Sequence, residues 1–341
     1  MRGAPTVFSL SILVVLGAVA ACQGQDPHLD RAPDADGGAG DGSTNDGGTS
    51  PDASGDGAEG GPAAGPGFEI VSPEISLEPG EELSTCYYFR TTNTDDLTIK
   101  EWRSKQGTGI SHISLVFTDT DKAPPGTVSP TDCAIFDREG ASWVYSAWTP
   151  SAGWSFPADD GTGKPLGKRV KANQPAYLVI HMKNANPATL KSHVELEAIG
   201  YPAGTTVTAA EPYVAHNGGI NITAGGSSTV TVTCSVPAGA KLTWMTMYAH
   251  RFATRMYIQD AKGTAVFGAD DFANPGARTW DAPPFYGFVD DTLSTVCAIV
   301  NDTAQTLTDG PNPTTDAACV MLGYHFPADK PRLCASGVLR P

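Results

Sequence analysis

Helical periodicity is nearly absent from this chain of 341 residues. Apolar residues rarely recur at the three- and four-residue spacing of an amphipathic helix, so helical bundles are excluded. Basic residues are scarce: 22 Lys and Arg stand against 37 Asp and Glu, with no basic patch or helix, and nucleic acid is not an expected partner. The sequence has no Gly-x-Ser-x-Gly elbow and no phosphate loop, which removes the common hydrolase and nucleotide-binding signatures. The apolar run at residues 7–19 is too short to span a bilayer comfortably.

That run is instead a targeting signal. Arg2 gives it a positive start, and Val19-Ala20-Ala21-Cys22 closes it with small residues before a cysteine. The ending resembles a bacterial lipobox. The resemblance implies cleavage after residue 21, a lipid on Cys22, and a membrane partner through that anchor. Gln23 is not the aspartate that in enteric bacteria retains lipoproteins in the inner membrane, so the expected place is the outer membrane, facing periplasm or cell surface. Residues 22–67 then read as a disordered tether. Residues 26–66 carry eight Asp, Glu59 and a single base, Arg31, with Leu29 their only large apolar side chain. Such a segment buries too little surface to offset the entropy of ordering.

What remains reads as all-β. Short alternating runs of Thr, Val, Tyr and Ile recur between Gly, Pro, Asn and Asp; TVTVTC at 229–234 alternates strictly. Many short strands argue for β-sandwiches. A turn-rich break, YPAGTT at 201–206, divides two such runs, giving domains at 68–203 and 204–341. Six cysteines follow the tether, an even number suited to three disulfides in an exported protein. If each half folds by itself, Cys86 must pair with Cys133, while Cys234, Cys297, Cys319 and Cys334 leave three pairings open. Trp143, Trp148 and Trp154, with Tyr145 and Phe156, read as sandwich core and a packed loop.

Three histidines end or interrupt hydrophobic strands: His112 in GISHISLVF, His181 in AYLVIHMKNANP, and His250 in TWMTMYAHR. His193, His216 and His325 have no partner at ligand spacing and are read as surface or core residues. With YLVIHMKN, SHISLVF, the approach GINITAGG to VTVTC, and the closing cysteines 297, 319 and 334, the chain resembles the copper type II, ascorbate-dependent monooxygenases, which include peptidylglycine α-hydroxylating and dopamine β-monooxygenases. The resemblance covers nearly all of 68–341. It implies two antiparallel jelly-roll β-sandwich domains in tandem, each with one copper, facing one another across a solvent-filled cleft. It also implies the disulfides Cys297–Cys319 and Cys234–Cys334.

Carried over residue by residue, the family's ligand set is half present. His112 and His181 match two ligands of the first copper, and Ser111 stands where the third histidine belongs. In the second site His250 matches; Tyr248 replaces a histidine and Ala318 replaces a methionine. Tyr248 is kept as a candidate ligand because a phenolate can coordinate, and alanine cannot. Thr246, Val320 and Leu322 occupy the family's peptide-carboxylate positions, so a small-molecule or peptide-like ligand would meet a more apolar pocket. The expectation is an exported lipoprotein with a degenerate active site, non-catalytic or weakly copper-binding on partial sites. The alternative is an active monooxygenase hydroxylating a C–H bond with O2, copper and ascorbate.

Overall fold

The computed structural model describes residues 66–340 apart from 131–132, 134 and 136–139. The signal, Cys22 and the tether up to residue 65 lie outside the described residues. The first strand starts at Gly67, one residue before the expected domain start.

Eight principal strands frame the first sandwich, with shorter strands at its sheet edges: β1 (Gly67–Val71), β2 (Glu82–Arg90), β3 (Leu97–Gln106), β4 (Ile110–Thr118), β5 (Ala141–Ala147), β6 (Leu166–Val170), β7 (Pro175–Lys183) and β8 (Val194–Gly200). They form two sheets, in the orders β1-β8-β3-β6 and β2-β7-β4-β5. The second sandwich repeats this with β9 (Glu211–His216), β10 (Ser227–Ser235), β11 (Lys241–Ala249), β12 (Ala253–Asp260), β13 (Ala265–Ala269), β14 (Arg278–Thr279), β15 (Thr292–Val300) and β16 (Cys319–Phe326). Its sheets run β9-β16-β11-β14 and β10-β15-β12-β13. Adding eight to each number of the first pair gives the second. This is the strand order of a jelly roll, two interlocked Greek keys, made twice. Two further strands, β17 (Arg332–Ala335) and β18 (Val338–Arg340), extend the second sandwich beside β9.

The disulfides are Cys86–Cys133, Cys234–Cys334 and Cys297–Cys319. The second closes a span of 100 residues and ties β10 to β17. Loops of this size lose several kcal/mol of unfolded-state entropy when closed, about 3–5 in the chain-entropy picture.

All described residues belong to one compact unit, and its layering explains the sequence. Along β16 every residue is buried. Val320, Leu322, Tyr324 and Phe326 pack into the core of the first sandwich, whereas Cys319 and Met321 pack into the second. A strand covered on both faces reads as a continuous apolar run. β7 is the same case, buried from Ala176 to Met182. The two sheets therefore face one another across a seam. Trp244 of β11 stacks between Trp143 (5.9 Å between ring centroids, 17° between planes) and Trp154 (5.4 Å, 12°). The Tyr324 hydroxyl donates to the Val144 carbonyl at 2.6 Å. Lys168 of β6 and Glu211 of β9 form a buried ion pair at 2.8 Å. The tryptophans read as sandwich core do pack in the first sandwich's core, where Trp143 and Trp154 also meet Trp244 across the seam and Tyr145 contacts Ser104 at 3.0 Å.

Candidate binding site between the sandwiches

Strand pairing places the histidines. His181 on β7 lies directly opposite His112 on β4. Residues opposite one another point to the same face, and the rings are 5.0 Å apart. The register slips just beyond, where Met182 pairs with Ile110, so Ser111 is the extra residue of a β-bulge. Bulges redirect the extra side chain. The Ser111 hydroxyl is turned back onto His181, 2.5 Å from Nδ1 and 3.2 Å from the carbonyl oxygen.

The second sandwich delivers its residues from one row. His216 on β9 pairs with Val320 on β16, which pairs with Tyr248 on β11. His250 follows two residues after Tyr248. The Tyr248 ring touches His112 across the seam with centroids 5.4 Å apart, and its hydroxyl lies 2.9 Å from His250 Nε2. The other nitrogen, Nδ1, lies 2.8 Å from the Asp316 carbonyl oxygen. A carbonyl can only accept, so Nδ1 carries the proton and Nε2 accepts from the phenol. All four residues singled out in the sequence, His112, His181, Tyr248 and His250, come together here.

Two residues of the site were not foreseen. His216 lies 2.9 Å from Asp309 Oδ1 and lines the same cavity as His112 and His250. Its signal was available: like AYLVIH, the stretch EPYVAH is an apolar strand with a terminal histidine. Glu82 sets its Oε1 3.1 Å from His181 Nε2. The geometry of that contact falls short of a well-aligned hydrogen bond.

Two cavities open beside the cluster. An outer one of 230 Å³ is lined by Glu82 and His181 on one side and residues 311–314 on the other. An inner one of 250 Å³ is lined by His112, Tyr248, His250, His216, Val179 and Ala318, among others. Ser84, Cys133 and Pro311 belong to both walls. Where the resemblance implies a solvent-filled cleft, the seam has rings in contact beside these two cavities, and a further one of 330 Å³ lies between Trp154 and Phe156 on one side and Thr243 and Trp244 on the other.

Burial governs the charge states. It holds His112 well below the usual imidazole range, and neighbouring His181 and His250 push the same way. His181 is lowered by burial against the opposing pull of Glu82. His250 is lowered to about 4. Burial raises the Tyr248 phenol far above its ordinary value, so without a metal it stays protonated.

These residues do not fit the copper pair that the resemblance implies. Copper needs nitrogen lone pairs converging on one point. The His250 Nε2 lone pair is taken by the Tyr248 hydroxyl, and His181 Nδ1 is engaged by Ser111. His181 lines the outer cavity and His112 the inner one. Among the described residues no three His, Cys, Asp or Glu side chains are grouped to hold a metal. Ala318 brings a methyl group, not sulfur, to the inner wall.

No model of a known protein family matches the chain, and no curated protein does. Among solved structures it is similar to a triple jelly-roll protein of an archaeal virus, at 11% identity over 76% of this chain, with a TM-score of 0.22. The chain spans 59% of that protein's length. It is similar to the STIV MCP at 8% identity, over 76% of this chain and 97% of the other, with a TM-score of 0.31. The PBSX exported protein XepA gives 10% identity, 75% and 86% coverage, and a TM-score of 0.18. Likenesses this distant say nothing about function.

Proposed function

We propose that the protein is an exported lipoprotein, anchored through Cys22 and displayed on an acidic tether, whose paired jelly rolls form a binding scaffold and not a copper monooxygenase. The observation that carries this reading is the capping of two histidines by the residues that stand in place of ligands: Ser111 holds His181, and Tyr248 holds His250. On this reading the ancestral site has become a hydrogen-bonded network of neutral side chains. Thr246, Val320 and Leu322 at the carboxylate-binding positions point the same way, since Val320 and Leu322 are packed into the seam. Three disulfides suit a domain pair that works outside the reducing cytoplasm.

The test is metal analysis of protein purified from the cell envelope, followed by oxygen consumption with copper and ascorbate. The expected result is no stoichiometric copper and no ascorbate-dependent oxygen uptake. A chain that takes up copper and consumes oxygen is instead a monooxygenase with an altered ligand set. Loss of the protein from the membrane fraction in a Cys22→Ala variant would support the anchor; retention would count against it.

A further inference from the structure

Beside the tryptophan stack the first sandwich carries a short strand with one open side. Ser151–Ser155 pairs antiparallel with β3, Ser151 against Lys105 and Ser155 against Glu101, without a bulge. Among the described residues no strand pairs with its other side. The ladder shows which backbone groups point there. Phe156 N–H donates to the Lys100 carbonyl at 2.7 Å, and Gln106 N–H donates to the Pro150 carbonyl at 2.8 Å. Bonded residues alternate along an antiparallel pair, so Ala152 and Trp154 are the ones that bond to β3. The N–H and C=O groups of Gly153 and Ser155 point to the open edge. Both residues are exposed, and neither has a side chain large enough to cover its backbone. Such an edge is a template for pairing with another chain.

The edge lies in a groove with unlike walls. Opposite residues share a face, and Gly153 ends a cross-strand row of Glu69, Glu197 and Arg103. Neighbouring rows end at Ser151, after Glu195 and Lys105, and at Ser155, after Glu101. Long charged side chains thus give way to small ones at the edge, and these residues line a cavity of 630 Å³. Trp154 points to the opposite face, where it lines the 330 Å³ cavity with Phe156, Trp244 and Asp281. Trp154 and Ser155 belong to both cavities, so the two meet along the strand. Four glutamates and Asp281 face two bases, and both bases are already paired, Arg103 with Glu101 at 2.7 Å and Lys105 with Glu195 at 3.2 Å. The segments that carry these residues are all among those described. The field left over is negative and favours a cationic partner.

We propose that the open edge of Ser151–Ser155 docks an extended basic peptide, which adds a strand to the first sandwich in the groove beside the second. Five residues of such a strand span about 17 Å. Its side chains alternate between the face of the glutamates and the face of Trp154, Phe156 and Trp244. The partner is a segment in which Lys or Arg alternates with apolar residues. The chain's own tether, with eight Asp, Glu59 and one base, has the wrong charge. The proposal rests on the binding-scaffold reading and names its class of partner, at a place apart from the histidine cluster. Copper content of the same sample judges that reading separately, whatever the peptide does.

The probe is a labelled seven-residue peptide alternating Lys with Val, followed by fluorescence anisotropy on the full chain. It should bind saturably, and a peptide alternating Glu with Val should bind weaker by about tenfold or more. Methylating alternate amide nitrogens gives two further peptides of equal charge, and only every second N–H of an added strand faces its neighbour. One of the two should lose about tenfold or more in affinity, and the other should keep the parent's. Ser155→Pro removes an edge N–H that the folded sheet does not use, and should weaken the parent peptide to a similar extent. If Ser155→Pro does not fold, the methylated pair on the unsubstituted chain decides. Equal loss with both methylated peptides would mean charge attraction without strand pairing, and overturns the proposal. So does absence of saturation at millimolar peptide, or equal binding of the Glu-Val peptide. Saturable binding of cellohexaose in place of the peptide would make the groove a glycan site and overturn it too.

Discussion

Ser111 caps His181 at an exposed bulge in the first sandwich, whereas Tyr248 caps His250 inside the seam. The two pairs are chemically parallel. Each sets a hydroxyl on a ring nitrogen of a histidine that the resemblance makes a copper ligand. They differ in what else the capping residue does. Ser111 adds little packing and leaves His181 facing Glu82 and the outer cavity. Tyr248 is 6% exposed, touches His112 and belongs to the core that joins the sandwiches. One cap is a local hydrogen bond; the other is part of the structure. The difference predicts which pair the fold can lose.

Tyr248→Ala should separate the two caps most severely. Removing a buried aromatic ring should cost about 3–5 kcal/mol of unfolding free energy. Urea denaturation should show a clear drop in midpoint, and an unchanged midpoint would mean that the ring is not part of the seam's core.

Acid is the next largest effect. His250 has a folded-state pKa of about 4 against an ordinary 6.5, so the unfolded chain takes up a proton first as pH falls. Its stabilising contribution is complete above pH 6.5 and is lost on descending to about 4, a change of about 3 kcal/mol. His325, also lowered to about 4 by burial, adds to the slope in the same window. Denaturation midpoints between pH 7 and pH 4 measure this, and His250→Gln should flatten the curve.

Tyr248→Phe isolates the hydrogen bond by removing the cap and keeping the ring. It leaves the buried His250 Nε2 without its donor, at about 1–2 kcal/mol. If Tyr248→Phe lowers stability as far as Tyr248→Ala, the hydrogen bond and not the ring is what matters. Ser111→Ala should have the smallest effect, below about 1 kcal/mol, because water can replace an exposed hydroxyl. A larger loss there would show the two caps to be alike after all.

Much of this was legible from residues. Alternation at 229–234 located β10, and the apolar runs carrying His181 and His112 located the paired strands. YPAGTT lies between β8 and β9, and strand Thr208–Ala209 beyond it still pairs in parallel with Leu166–Gly167 of the first sandwich. What periodicity could not supply was the seam. β16 alternates between two cores, so its continuous apolar run signals that both faces are covered without saying by what. Ser111 and His181 are 70 residues apart in the chain, and the bulge that brings them together depends on a one-residue slip between two strands. Likewise, the partner of His216 is Asp309, 93 residues later. Ligand spacing along the sequence finds neither contact.

Whether the caps have displaced the metal can be read at the imidazole nitrogens themselves. Nitrogen-15 spectra of the histidine rings would be recorded at neutral pH before and after adding Cu(I), which is diamagnetic. Capping predicts His250 protonated on Nδ1, with Nε2 hydrogen-bonded, and no change at His250 or at His181 Nδ1 when copper is added. Movement of His250 Nε2 and His181 resonances to metal-bound positions at one equivalent of copper would contradict it.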